Sequence, residues 1–279
     1  MMCAWEALLQ VLPQWLRSDT DRLGRKGLQE LRLHLGQMPE LVLPEGSVWL
    51  SRKVIREDLD FCVNAASRYS PWAAATVSQG YITAAGGHRI GLCGEAVVHN
   101  GEVKGLRKVR DLCIRVARDF PGIAGGISGP GQSALILGAP GWGKTTLLRD
   151  LIRRRSDAGE HIAVVDERGE LFPDDSFPRG RCTDVVSGCT KAQGIDSLMK
   201  TMGPDCIAVD EITKDTDCEA LLRCAWCGVA LIATAHASSR KDLLTRPVYQ
   251  PLVKSRIFDR VIILQPDKSW RTERIAYEY

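Results

Sequence analysis

The second half of the chain alternates short, uninterrupted apolar runs with stretches of helical spacing. The runs are SALILG (133–138), HIAVVD (161–166), CIAVD (206–210), ALIATA (230–235) and RVIIL (260–264). Apolar residues recur at helical intervals over 145–155 and 217–227. Continuous apolar strands separated by helices are typical of a parallel sheet that is covered on both faces. The pattern therefore predicts a three-layer α/β domain.

The first half of the chain has a different pattern. Leucines alternate with polar residues over 28–36, which fits a half-buried strand, and residues 56–70 have the spacing of an amphipathic helix. Residues 80–103 hold hairpin-like segments separated by glycines. A smaller α+β domain is therefore predicted before the Gly- and Pro-rich stretch 119–132, and the α/β domain after it. The predicted domains are residues 1–122 and 123–279.

Composition and charge narrow the functional classes. The 279 residues are 44% hydrophobic and 25% charged, which is ordinary for a globular protein. A net charge of +3 is too small to predict nucleic acid as a partner, or an anionic membrane as the main one. No apolar stretch approaches the roughly 20 residues that span a bilayer. Glu6 interrupts the apolar N-terminal segment, which argues against a signal peptide.

The cysteine pattern gives no metal site. Ten cysteines are scattered along a chain for which we expect no secretion signal, so they are expected to remain reduced thiols. Cys224 and Cys227 form a Cys-x-x-Cys, but a zinc site needs four ligands and no second pair with matching spacing exists. Small apolar residues of a helix are the favoured interpretation of this pair.

The segment GAPGWGKTT is the clearest chemical signal. It fits Gly-x4-Gly-Lys-Thr and lies between a predicted strand and a predicted helix, as a phosphate-binding loop does. Glycines let backbone amides surround phosphate oxygens at a helix N-terminus. Lys144 is expected to reach the β- and γ-phosphates, and the Thr145 hydroxyl to ligate Mg²⁺. The predicted nucleotide contacts in the loop are Gly138, Ala139, Pro140, Gly141, Trp142, Gly143, Lys144, Thr145 and Thr146.

Two further strands end in pairs of acids. CIAVDE ends in Asp210 and Glu211, and VVDERGEL carries Asp166 and Glu167. Carboxyl ends of parallel strands share the edge where ligands bind, so these acids are expected near the loop. Asp210 is expected in the Mg²⁺ shell, and Glu211 is expected to orient or deprotonate the attacking water. Such a pair alone fits a solvated strand end equally well, but the complete loop upstream favours the functional interpretation.

A histidine follows the fourth apolar run, in LIATAHASS. Taken alone, His236 at the end of a strand is more often a structural residue than a ligand-binding one. Three other strand ends carry matched polar groups to the same edge, which favours a role for His236 at the nucleotide.

Several nucleotide-binding classes are disfavoured. Residues 213–217, TKDTD, do not match the guanine-reading motif of a GTPase, because Thr216 stands where an Asp is needed. The Leu-Ser-Gly-Gly signature of ABC ATPases is absent. Residues 246–256 are a weak candidate for the Arg-rich lid of a small-molecule kinase. The remaining class is a ring-forming ATPase with a RecA-like P-loop core, which uses ATP to move domains.

The order of these segments resembles the secretion ATPases of type II and type IV systems. Within that group the chain is most similar to the stage III AA sporulation family of spore-forming Firmicutes. The resemblance is carried by LQELRLHLGQMPELVL, GYITAAGGHRIGLCGEAVV, GKTTLLRDLIR, VVDERGEL, IAVDEI and ATAHASS. In these ATPases the last four segments are named Walker A, Asp box, Walker B and His box.

The resemblance implies a homo-hexameric, ATP- and Mg²⁺-dependent ring ATPase in the cytoplasm of the mother cell. It implies that the ring powers or assembles a channel to the forespore and lies at the membrane through the channel's membrane components. Because four strand ends carry matched polar groups to one edge, we further expect Glu167 to assist Glu211 and His236 to sense the γ-phosphate.

Related secretion ATPases also place arginines near the γ-phosphate from the N-terminal domain. Arg89 and Arg115 are the candidates, with Arg118 beside them; surface or interdomain salt bridges explain all three equally well. Lys214 stands where the family usually has an arginine, which puts that residue's role in doubt.

Two other functions stay open. One is a nucleotide-gated assembly scaffold with little turnover. The other is a RecA-like ATPase that acts on DNA, although the small net charge argues mildly against it.

Overall fold

A computed structural model of the protein describes residues 1–25, 27–67, 77, 80–127 and 129–274. The chain forms two compact units: Met1–Asp119 with Pro173–Ser176, and Phe120–Phe172 with Phe177–Tyr279. The chain passes from the first unit to the second between Asp119 and Phe120. The division into domains 1–122 and 123–279 stays a prediction. No helix among the described residues is long and apolar enough to cross a membrane.

Over its described residues, the first unit forms a six-stranded antiparallel sheet with three α-helices. Its elements are α1 (Trp5–Gln10), α2 (Gln14–Gly24), β1 (Glu30–His34), β2 (Glu40–Leu43), β3 (Gly46–Trp49), α3 (Arg56–Ser67), β4 (Tyr81–Thr83), β5 (Arg89–His99) and β6 (Glu102–Arg115). The strands lie in the order β3-β2-β1-β6-β5-β4. The predicted half-buried strand is confirmed as β1, which buries Leu31 and Leu33 and exposes Arg32. The predicted helix is confirmed as α3; residues 68–70 of that prediction lie outside the described residues.

The second unit is a seven-stranded sheet with helices. Its elements are β7 (Ala134–Leu137), α4 (Lys144–Asp157), β8 (Ile162–Asp166), β9 (Thr183–Ser187), α5 (Lys191–Thr201), β10 (Cys206–Val209), α6 (Asp215–Trp226), β11 (Ala230–Ala235), α7 (Arg240–Thr245), α8 (Gln250–Lys254), β12 (Arg260–Leu264) and β13 (Trp270–Arg274). The order is β13-β12-β7-β11-β10-β8-β9, and only β13 runs antiparallel to its neighbour.

All five predicted strands of this unit are confirmed as β7, β8, β10, β11 and β12. Strands β9 and β13 were not predicted from the sequence. They lie at the two edges of the sheet and are only partly buried, so they lack the continuous apolar run of the central strands.

Helices cover both faces of this sheet. Alternate strand residues such as Leu135 and Val209 pack with Ile195 of α5 and Leu221 of α6 in one buried cluster. Neighbouring residues of a strand point to opposite faces. The buried leucines of α4 lie outside that cluster although α4 packs against β7, β8 and β11, so α4 covers the opposite face. The predicted three-layer arrangement is therefore present.

Three arginines of α4 are buried. Cations at the carboxyl end of a helix are favoured by its dipole, and the basic stretch RDLIRRR alone would fit that explanation, but Arg149, Arg153 and Arg155 are buried. Arg155 forms an ion pair with buried Glu160 and donates to the Gln132 carbonyl at 2.7 Å. Each of the three arginines contacts specific partners, so the helix dipole alone does not explain their positions.

His88 is a buried histidine of the first unit with an assignable proton. The amide of Ala117 donates to its Nδ1 at 3.1 Å, so Nε2 carries the hydrogen and donates to the carbonyl of Ala4 at 3.0 Å. Burial lowers the pKa of His88, which keeps the ring neutral.

We expect this histidine to make the protein less stable in mild acid. As pH falls through about 6.5, His88 of the unfolded chain binds a proton while His88 of the folded protein stays neutral, so the free energy of unfolding decreases. Thermal melting should show a lower Tm at about pH 5.5 than at about pH 7.5, and His88→Gln should reduce that difference. Exposed His99 supplies the control, since His99→Gln should show the same difference in Tm between the two pH values as wild type. An equal pH effect in wild type and His88→Gln would contradict the assignment.

Candidate functional site

A glycine-rich loop (residues 138–143) joins β7 to α4. Gly141 and Gly143 have φ of +78° and +96°, a left-handed conformation that other residues adopt only with strain. Gly143 caps the N-terminus of α4, where unpaired amides and the helix dipole favour an anion. Pro140 and Gly141 are exposed to solvent, and the other loop residues are buried or half-buried. The segment therefore has the geometry that its motif predicts.

Lys144 begins α4 with its side chain largely buried. Its ammonium donates to the carbonyl of Ala139 and to Nδ1 of His236, each at 3.1 Å. Burial lowers the pKa of Lys144, and the negative charges of Asp210 and Glu211 oppose that shift. The lysine thus lies between the loop and the ends of two strands.

Asp210 follows β10 and accepts two hydroxyl hydrogen bonds. Thr145 donates to its Oδ2 and Thr234 to its Oδ1, both at 2.6 Å. Burial raises the pKa of Asp210, and the two hydroxyls partly oppose the shift. The predicted metal ligands Thr145 and Asp210 therefore lie within hydrogen-bond distance of each other.

Glu211 and His236 form a direct contact. Lysine only donates, so Nδ1 of His236 accepts from Lys144 and Nε2 carries the hydrogen. Nε2 then donates to Oε1 of Glu211 at 2.9 Å. The other oxygen, Oε2, lies 3.7 Å from the guanidinium of Arg168. A continuous chain of polar contacts therefore runs from Lys144 through His236 to Glu211.

The two acids of the VVDERGEL segment have different surroundings. Asp166 is buried and accepts the amides of Glu170, Leu171 and Phe172 at 2.8–3.0 Å, which fixes a turn. Burial raises the pKa of Asp166, and those amides oppose the shift. Glu167 instead forms an ion pair with Lys191, a buried lysine at the start of α5. Of these two acids, Glu167 is the one whose carboxylate contacts a cationic side chain at the sheet edge.

An open cleft of about 310 Å³ lies at this edge of the second unit. Its walls are formed by Asp166, Glu167, Arg168, Glu170, Lys191, Asp210, Glu211 and Thr213. It brings the acids of two strand ends together with two cationic side chains. Such a mixed set can bind an anion, orient a water molecule and accept its proton.

The pair Thr145 and Asp210 suits Mg²⁺ only with further ligands. Mg²⁺ is commonly held by one or two carboxylates with substrate phosphates and retained waters. A hydroxyl and a carboxylate in hydrogen-bond contact at the N-terminal end of α4 fit that donor set. Among the described residues, no group of three or more His, Cys, Asp or Glu is arranged to hold a metal by itself.

The cysteines of α6 belong to the core. Cys218 and Cys224 are buried in the hydrophobic cluster, and burial raises their pKa values to about 12 and about 11. A high thiol pKa disfavours both metal binding and nucleophilic reactivity. The interpretation of Cys224 and Cys227 as small apolar helix residues is therefore confirmed for Cys224. It is wrong for Cys227, which follows the last residue of α6 and is exposed.

The predicted arginines of the first unit have partners within that unit. The guanidinium of Arg89 lies 3.9 Å from the ring centre of Tyr81, and Nε of Arg115 lies 3.4 Å from Glu30. Arg118 donates to the carbonyl of Leu28 at 3.1 Å. A role for these arginines at a nucleotide stays a prediction.

Sequence reasoning missed four residues that complete the site. Arg168 and Thr234 lie inside the quoted motifs, where an arginine between two acids and a hydroxyl in an apolar strand were available signals. Lys191 lies outside the quoted motifs and Tyr249 lies in the segment 246–256, for which only a kinase lid was considered; the fold brings both to the site.

Comparison with known proteins gives one clear family. The model of the family "Sporulation stage III, protein AA" matches residues 6–278. Stage III sporulation protein AA of Bacillus subtilis (strain 168) is 33% identical over 291 residues, covering 97% of this chain and 94% of that protein.

Solved structures share the fold at low identity. The ATPase DotB of Legionella pneumophila is 16% identical with a TM-score of 0.58, over 94% of this chain and 80% of that one. The pilus retraction motor PilT, solved with bound ADP, is 15% identical with a TM-score of 0.61, over 94% and 78%.

Proposed function

The chain belongs to the family of sporulation stage III protein AA, and on that premise we propose that it hydrolyses ATP with Mg²⁺. The observation that carries the proposal is the hydrogen-bonded series Lys144, His236 and Glu211, with Asp210 beside it, at the carboxyl edge of the sheet. The glycine-rich loop supports phosphate binding. The fold shared with DotB, described as an ATPase, supports a RecA-like P-loop core.

The loop and Lys144 bind the phosphates of ATP. Backbone amides of residues 138–146 surround the phosphate oxygens, and the positive end of α4 favours their charge. The Lys144 ammonium donates to Ala139 and His236, so an arriving phosphate competes for these hydrogen bonds. Burial strengthens the interaction of the ammonium with phosphate, because little water screens it.

Thr145 and Asp210 hold Mg²⁺ together with phosphate and water. When bound, Mg²⁺ neutralises charge on the phosphates and thereby favours transfer of the γ-phosphoryl group. Thr234 keeps Asp210 oriented through its hydroxyl, which donates to the oxygen that Thr145 does not contact.

Glu211 orients the attacking water and accepts its proton, and Glu167 assists from the same cleft. Arg168 contacts Glu211 and Lys191 contacts Glu167, so a cationic side chain lies beside each of the two carboxylates. His236 contacts both Lys144 and Glu211. A γ-phosphate that binds Lys144 therefore changes the contacts of His236 and, through them, the position of Glu211.

Assembly extends the proposal beyond one chain. We propose a homo-hexameric ring in the cytoplasm of the mother cell, peripheral at the membrane through the membrane components of a sporulation channel. In that ring Arg89 or Arg115 acts at the nucleotide, and Lys214 replaces the family arginine by charge alone. No nucleic-acid partner is proposed.

Three measurements on the full chain separate this proposal from its rivals. We expect MgATP to shift the protein to a larger species in gel filtration, with phosphate release that DNA does not change. A larger species without phosphate release would favour the nucleotide-gated scaffold. Release that rises on titration with DNA would favour the DNA-acting ATPase.

A further inference from the structure

Glu211 has an unusual backbone conformation. Its φ is +57°, in the left-handed region that residues other than glycine rarely adopt. Such conformations persist only where surrounding contacts hold them, and they cluster at functional sites. The contacts that hold Glu211 are therefore of interest for the proposed reaction.

Thr234 holds the backbone of Glu211 from the neighbouring strand. Its hydroxyl accepts the amide hydrogen of Glu211 at 2.7 Å while it donates to Asp210 at 2.6 Å. Its carbonyl accepts the amide of Ile212 at 2.9 Å. Thr234 is fully buried, so water cannot replace these hydrogen bonds. Thr234 thus holds Asp210 and Glu211 through its hydroxyl and Ile212 through its backbone carbonyl.

Tyr249 ties the same turn to the histidine. Its hydroxyl donates to the carbonyl of Ile212 at 3.3 Å and accepts the amide of His236 at 3.2 Å. The side chain is buried, 3% exposed, and lies in the short helical turn Pro247–Tyr249, outside every nucleotide motif. Tyr249 therefore joins the residue that follows Glu211 to the residue that contacts its carboxylate.

We propose that Thr234 and Tyr249 are positioning residues for Glu211 and His236, an inference that rests on the proposed ATPase function. The two hydroxyls fix both backbones, and the bond from His236 Nε2 to Glu211 Oε1 closes the ring of contacts. Without either hydroxyl, Glu211 can relax toward an ordinary conformation, and its carboxylate leaves the position suited to the attacking water.

The two residues differ in one useful way. Thr234 also contacts Asp210, a proposed Mg²⁺ ligand, whereas within the described part of the chain the Tyr249 hydroxyl forms hydrogen bonds only with backbone atoms. Loss of the Thr234 hydroxyl should therefore raise the Mg²⁺ concentration for half-maximal rate, and loss of the Tyr249 hydroxyl should not.

The test compares Thr234→Val and Tyr249→Phe with wild type and with Thr234→Ser, which keeps its hydroxyl. We expect each of the first two to lower kcat roughly tenfold, because a displaced general base slows the reaction. Each variant also leaves two hydrogen-bonding partners unpaired, so the Tm should fall, whereas affinity for ADP, measured well below the Tm, should change little. Thr234→Ser should retain most of the rate. In a Glu211→Gln background, Tyr249→Phe should lower the residual rate no further, because it acts through Glu211.

If Thr234→Val and Tyr249→Phe hydrolysed ATP at the wild-type rate, the positioning role would be overturned and the proposed ATPase function would stand. An equal fractional loss from Tyr249→Phe in the Glu211→Gln background would also overturn it, since the tyrosine would then act elsewhere. No hydrolysis by the wild-type chain would overturn the proposed function, and this inference with it.

Discussion

Glu211→Gln is expected to bind ATP as wild type does and to hydrolyse it on the order of 10²- to 10⁴-fold more slowly, the usual contribution of a general base. Glutamine has the same shape and still offers an oxygen to Nε2 of His236, so the contact at 2.9 Å can persist. It cannot accept a proton at neutral pH. The measurement is steady-state phosphate release beside an equilibrium titration with labelled ATP.

A matched carboxylate gives the control for this variant. Glu170 lines the same cleft, but its side chain has no part in the proposed reaction. Glu170→Gln should therefore keep most of the turnover. If Glu211→Gln hydrolysed ATP at the wild-type rate, Glu211 would not be the base and the assignment of this strand end would fail.

Lys144→Ala is expected to weaken ATP binding roughly ten- to hundredfold, which corresponds to about 1.5–3 kcal/mol for hydrogen bonds to a charged group. Hydrolysis should fall further, because the ammonium also stabilises charge that develops during phosphoryl transfer. Titration with labelled ATP measures the first effect and phosphate release the second.

The same variant should fold at least as well as wild type. Burial lowers the pKa of Lys144, which means that the folded protein disfavours its charged form. Removing that ammonium should therefore leave the Tm unchanged or slightly higher. Exposed Lys241 serves as control, since Lys241→Ala should keep both affinity and rate. Unchanged ATP affinity in Lys144→Ala would contradict a phosphate-binding role for the loop.

The central strands of the second unit could be predicted because burial on both faces demands an unbroken apolar run. Strand β11, ALIATA, is buried at every position. Edge strand β13, WRTER, pairs on one side only and is partly exposed, so its sequence has no such run. Hydrophobic patterning thus predicts the interior of a parallel sheet better than its edges.

The chemistry of the site could be predicted only for residues that lie within a short recognisable motif. Lys144, Asp210 and His236 lie beside recognisable strand ends, and the structure brings them together. Lys191 and Tyr249 act through contacts made by distant elements, and neither their type nor their spacing indicates this.

The buried arginines of α4 show the same limit of a single sequence. Arg155 lies in a stretch whose charge alone predicts an exposed helix end, yet it is 2% exposed and paired with Glu160. Whether a charged residue is solvated or paired depends on where its partner folds, and local pattern does not contain that information.

The central claim is that this chain hydrolyses ATP at the edge that carries Lys144, Asp210, Glu211 and His236. The most direct test is steady-state phosphate release from ATP by the assembled wild-type chain, with Mg²⁺ and again after chelation with EDTA. We expect sustained release with Mg²⁺, loss of release on chelation, and little release by Glu211→Gln in the same assay. Wild-type release no greater than that of Glu211→Gln, with ATP bound, would show that ATP is not hydrolysed at this edge.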